Sequence, residues 1–189
     1  VTPLIFHTGV KKQPFDLREK RLLVFNPVDT IAIELSSAGK GKISLERQGN
    51  RWRITAPVED EADRGQVERL LQSVAQLKAS AFFDDKEAGA KLGLTKPAFS
   101  VRLEVAGQGQ AQLVFGKTVP KSSPPASYVV RLPDGQVAEV ESAARMSLDK
   151  DLVSLRDKGL FDCQPQQVAR MVFERSSGAG FALERNSEG

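Results

Sequence analysis

The sequence holds one cysteine, one histidine, one tryptophan and one tyrosine in 189 residues. A lone thiol excludes an internal disulfide and any metal centre built from several cysteines. A lone imidazole, His7, would have to carry any Ser-His-Asp triad or zinc site by itself. It lies in a lead segment, residues 1–16, that matches no motif, and reads as an incidental surface residue. No window approaches the roughly 20 apolar residues of a membrane span, and the opening "VTPLIFHTGV" has no signal-peptide pattern. Charge of one sign is scarce too. The 27 Lys and Arg are interleaved with 24 Asp and Glu, giving a formal charge of only +3. Nucleic-acid binders gather their cations into a patch, so no nucleic-acid partner is expected.

What is present is ordinary for a soluble globular domain: 40% hydrophobic and 27% charged residues. "TIAIEL" and "KISLER" alternate apolar and polar residues around "SSAGKG", which spells strand, glycine turn, strand. "RWRIT" adds a third strand. A helix follows in "EDEADRGQVERLLQSVAQLKAS", where Val67, Leu70, Leu71, Val74 and Leu77 share one face. Asp63 and Gln66 have the spacing of a capping box. Burying that stripe contributes about 8–15 kcal/mol before entropy, so one helix face must lie on a sheet. "AFFDD" reads as an exit segment and "KEAGAKLGL" as a short helix ending at Gly93. Four strand-like runs come next: "FSVRLEVA", "AQLVFGK", "SYVVRL" and "VAEVES", with hairpin signals at "GQGQ" and "PDGQ". "SAARMSLDKDLVSLRDK" adds one or two helical turns. The expected fold is α+β, a mainly antiparallel, hairpin-built sheet packed against one main amphipathic helix.

The chain also resembles itself. "LREKRLL" from Leu17 returns as "LRDKGLF" from Leu155, an offset of 138 residues. In that ungapped register Pro27 falls on Pro165, Ile33 and Leu35 on Met171 and Phe173, and Ile43 on Phe181. "LER" at 45–47 then falls on "LER" at 183–185. Self-similarity at a fixed offset marks a repeated structural unit. The expected organisation is a lead at 1–16, a first unit at 17–154, and the truncated start of a second copy at 155–189. In this register Trp52 falls on position 190, so the natural protein is expected to continue with an aromatic residue there.

The run from "WRITAP" (Trp52 to Pro57), through "AD" and the helix Ala62 to Leu77, "LGLTKP" (Leu92 to Pro97), "VRLEV" (Val101 to Val105), "YVVRLPDG" (Tyr128 to Gly135) and "LRDKGLF" (Leu155 to Phe161) resembles the domain of unknown function four-three-four-zero. The resemblance implies a bacterial, membrane-anchored protein with repeated extracytoplasmic domains, associated with gliding-motility-type ABC transporter components. It also implies a transmembrane helix just before Val1. The family has no established catalytic residues, so none carries over.

The remaining candidates each have a bland reading. Cys163 falls on the position of Phe25, an apolar slot, and is expected to be a small buried hydrophobe. The carboxylates of "EDEAD" (59–63) and "DDKE" (84–87) could form acid-base pairs or a weak cation site, but both sit where helices begin and suit the helix dipole. "AGKGK", "AGQGQ" and "SGAG" look like phosphate loops, yet each joins two strands, and "GKT" at 116–118 lacks the first glycine of a phosphate loop. The proline-rich stretch 117–127 is long for a plain connection. Lys117, Lys121, Ser122 and Ser123 in it are the candidate interaction residues. No metal or cofactor is expected. The leading functional expectation is a non-enzymatic, extracytoplasmic module that binds protein partners, possible ABC transporter components among them. A domain for a cell-envelope glycan or lipid is the alternative, and a hydrolase is a third.

Overall fold

The computed structural model describes residues 20–83, 92–132, 134–159, 163 and 165–186. They divide into two units, the first running to Asp157 and the second starting at Lys158.

The first unit is built on one antiparallel sheet of nine strands. Strands β1 (Thr30–Ser37), β2 (Gly41–Gln48) and β3 (Arg51–Ala56) form a meander. A two-residue strand, β4 (Asp60–Glu61), sits beside β3. Helix α1 (Arg64–Ala75) follows, then β5 (Ala81–Phe83). A second meander comprises β6 (Phe99–Val105), β7 (Gly109–Thr118), β8 (Ala126–Leu132) and β9 (Gln136–Glu141). The spatial order is β4-β3-β2-β1-β6-β7-β8-β9-β5. Both edge strands are very short, which limits the unpaired backbone open to other chains. Two short helices, α2 (Ser142–Leu148) and α3 (Leu152–Leu155), close the unit.

The strands alternate because only one face of most of the sheet is buried. Ile33 and Leu35, Ile43 and Leu45, Trp52 and Ile54, Val101 and Leu103, Leu113 and Phe115 enter a core with Val67, Leu70, Leu71 and Val74 of α1. Asp63 starts that helix by accepting the Gln66 backbone N–H at 3.0 Å. Leu77 is buried as expected, but it lies just past the helix, which ends at Ala75. The other face carries ion pairs in solvent: Lys42 with Glu34 at 2.7 Å and Arg102 with the same glutamate at 3.6 Å.

Toward β5 the second face is covered as well. Phe83, Leu92 and Val137 form a small separate cluster joined by Leu94 and Tyr128. The Leu92 carbonyl accepts the Lys117 N–H at 2.8 Å and lies over Gly116, where a Cβ would collide with it. The expected exit segment "AFFDD" is therefore β5, buried on both faces. The lead segment 1–16, His7, residues 86–91 of the short helix expected to end at Gly93, and the carboxylates at 84–87 lie outside the described residues; Leu92 and Gly93 themselves form a turn.

The second unit contains a hairpin, β10 (Arg170–Phe173) and β11 (Phe181–Glu184), turned by Gly178 at φ +104°. One expectation is overturned here. Cys163 is exposed, not buried. Its counterpart Phe25 is packed against the core of the first unit, and an apolar residue type cannot create cover that its own unit lacks.

Trp52 is 3% exposed, and the Arg47 guanidinium carbon lies 5.0 Å from its ring centroid. Trp52→Ala is expected to cost about 3–5 kcal/mol in chemical denaturation. A loss under about 1 kcal/mol would show that the ring is not a core anchor.

Candidate functional site

The loop singled out from the sequence joins β7 to β8. Ser122 closes it from inside: its Oγ donates to the Val119 carbonyl at 3.1 Å and accepts the Ala126 N–H at 2.9 Å. Lys117 continues β7 beneath Gly93, whose added Cβ would meet the lysine side chain. Lys121 and Ser123 are exposed at the tip, with Lys121 in the left-handed region at φ +56° and a cis bond between Ser123 and Pro124. The structure thus separates the four residues: Ser122 is spent inside the loop, while Lys117 at its base and Lys121 and Ser123 at its tip are exposed.

The carboxylates of residues 59–63 do not converge on a common point. Asp63 caps α1, Glu59 pairs with Arg53 at 3.6 Å, and Glu61 pairs with Arg51 at 3.0 Å. Asp60 forms a hydrogen-bonded ion pair with Arg156. Around that pair, Asp63 N–H donates to the Leu155 carbonyl at 2.8 Å and Asp157 N–H to the Glu61 carbonyl at 2.9 Å. Residues 155–157 therefore run along the outer edge of β4 and satisfy its backbone. Nothing in the sequence signals this pairing, because its partners are almost a hundred residues apart. Among the described residues, no group of three or more His, Cys, Asp or Glu is placed to hold a metal ion.

The glycine loops are hairpin turns. Gly41, Gly107, Gly109 and Gly178 have positive φ between paired strands, and none opens a helix that could face a phosphate. On the covered second face, burial first and the Glu139 carboxylate second push the Tyr128 phenol above its ordinary value of 10.0. That phenol stays protonated at neutral pH, and its ring packs edge-on against Phe83 with centroids 5.6 Å apart. A cavity of about 480 Å³ lies near the end of α1, lined by Ser73, Gln76, Ser80, Glu141 and Ser147 with Lys20. Its hydroxyls donate to backbone carbonyls: Ser73 to Arg69 at 2.9 Å, Ser80 to Glu139 at 3.1 Å and Ser147 to Ala144 at 2.7 Å.

Fold and side chains together define a sheet-rich α+β domain. The chain belongs to the family described as Domain of unknown function (DUF4340), whose model matches residues 52–189. Comparison with curated proteins and with solved structures gives no match.

The Arg156 hydrogen bond, helped by the Glu61 N–H, holds the Asp60 carboxyl below its ordinary value of 3.8. A depressed folded value stabilises the fold above the unfolded value, and this is lost as pH falls through the folded one. The melting temperature of Asp60→Asn is expected to fall less steeply than that of the native chain as pH drops below 3.8. Parallel slopes would contradict the pairing.

Proposed function

We propose that this chain is a non-enzymatic interaction and structural module of a membrane-anchored, ABC-transporter-associated bacterial protein, working outside the cytoplasm. Membership of the family is consistent with this reading, as is an acidic cluster spent on structural ion pairs. The observation that carries it is the second hairpin. Its pairs Met171–Leu183 and Phe173–Phe181 fall, at an offset of 138 residues, on the pairs Ile33–Leu45 and Leu35–Ile43. The short 3-10 turn Pro165–Gln167 falls on Pro27–Asp29. One hydrogen bond recurs as well: Arg47 Nη1 donates to the Val28 carbonyl at 2.8 Å, and Arg185 Nη1 donates to the Gln166 carbonyl. Agreement in strand register, turn and side-chain bond supports the second unit, from Lys158 on, as the opening of a second copy, while residues 155–157 pack into the first.

The two hairpins differ in cover. Ile33, Leu35, Ile43 and Leu45 are at most 3% exposed, whereas Met171, Phe173, Phe181 and Leu183 are 43–55% exposed. In the first unit that face lies under α1 and beside β3. In a complete second copy a counterpart of α1 would cover that face. Tandem copies of a hairpin-and-helix unit would give the protein an extended surface for partners in the cell envelope.

Every core residue of the first unit lies at or before Leu155. Deleting residues 160–189 is therefore expected to leave its fold intact, with a melting temperature changed by less than about 4 °C. General unfolding would place the hairpin in the first unit's own core. For location, the native protein should fractionate with the cell membrane, require detergent for release and be cleaved by protease added to spheroplasts. A soluble, protease-protected protein would overturn the reading.

A further inference from the structure

A groove of about 430 Å³ runs between α1 and the turn Pro27–Asp29, on the first unit alone. Its walls are Pro27, Val28 and Leu71, and its charged lining is three arginines, Arg47, Arg64 and Arg69, against one glutamate, Glu68. That carboxylate is already engaged by Arg64 Nε at 2.6 Å. Arg47 comes from β2, spends Nη1 on the Val28 carbonyl, and keeps an Nε buried with no acceptor. Arg69 has no carboxylate or carbonyl partner for its guanidinium among the described residues. A Cβ at Gly65 would stand 3.6 Å from Arg69 Nη1 and 3.3 Å from Asp63 Oδ1, a carboxylate oxygen already accepting the Gln66 N–H. Elsewhere in the unit, Arg51, Arg53 and Arg156 each face one carboxylate, and Arg102 shares Glu34 with Lys42. Here the lining itself carries three positive charges against one negative, with the Asp63 carboxylate beside Gly65 spent on capping α1.

The ligand that fits is a planar-fork partner with two negative charges. Guanidinium groups bind carboxylate and phosphate oxygens in pairs, and phosphate offers three acceptors and close to two charges at neutral pH. We infer that the groove formed by Arg47, Arg64 and Arg69 beside Gly65 binds the phosphate group of a phosphomonoester, whether carried by a soluble molecule or by a lipid headgroup. Arg64 and Arg69 reach the anion from α1, and Arg47, whose guanidinium carbon lies 5.0 Å from the Trp52 ring centroid, closes the site from the sheet. The apolar wall of Pro27, Val28 and Leu71 accommodates the carbon skeleton beyond the phosphate.

The test is a titration of the isotope-labelled chain with inorganic phosphate at constant ionic strength, chloride being the balancing anion, read by NMR at backbone amides and arginine Nε–H groups. Saturable shifts centred on Arg47, Gly65, Arg64 and Arg69 are expected. Arg69→Gln should weaken binding at least tenfold with an unchanged melting temperature, while Arg102→Gln, on the opposite sheet face, should leave it unchanged. A parallel sedimentation assay uses vesicles of phosphatidic acid in phosphatidylcholine, with pure phosphatidylcholine as control. Pelleting that Arg69→Gln abolishes identifies the lipid headgroup as the source, and phosphate binding without pelleting identifies a soluble ester. If neither probe acts at these residues, or if Arg69→Gln and Arg102→Gln weaken binding equally, the effect is diffuse charge and the site is refuted.

Discussion

The first unit depends on one helix that must connect opposite edges of a nine-stranded sheet. β4 and β5 are adjacent in the chain order yet stand at the two ends of the sheet, with seven strands between them. Eight inter-strand spacings amount to about 38 Å. The 12 residues of α1 supply about 18 Å of that span, and the extended residues on either side supply most of the rest. The crossing segment is forced to lie over the sheet, so its apolar stripe and the alternating strands bury each other. Asp63 fixes where the crossing starts, and residues 155–157 seal the edge it leaves from.

The same crossing explains why the far end of the sheet needs a second cluster. The helix covers one face, leaving β5, β8 and β9 with apolar residues on the other. Phe83, Leu92, Leu94, Tyr128 and Val137 cover each other there, with Gly116 allowing the 92–94 segment to approach β7. Where the sheet has no such cover, its outer face carries Glu34, Lys42 and Arg102 in place of apolar side chains.

Strands with one wet face were legible in the sequence because burial on one side imposes a period of two; β1, β2 and β6 are plain examples. The α1 stripe was legible for the same reason at helical period. β5 was not: its three residues are buried on both faces, so "AFF" has no alternation to read. β4 was too short for any period, and its partner segment 155–157 is distant in sequence. Of the candidate loop, length and prolines were visible, but nothing foretold that Ser122 would be spent inside it. The three arginines of the groove each looked like part of a mixed-charge surface, because their convergence comes from β2 and α1 packing together. Cys163 was misjudged because a residue's burial depends on what covers its unit.

The second hairpin matches the first in register while lacking the cover that makes the first a core. An uncovered two-stranded hairpin is marginal in water, whereas the central strands of a nine-stranded sheet open only with global unfolding. Amide hydrogen exchange read strand by strand measures that difference directly. Strong protection is expected for β1 and β2, at the level of global stability, and protection lower by several orders of magnitude for β10 and β11. Equal protection in the two hairpins would contradict it, because the face of Met171, Phe173, Phe181 and Leu183 would then be buried in the chain as it stands.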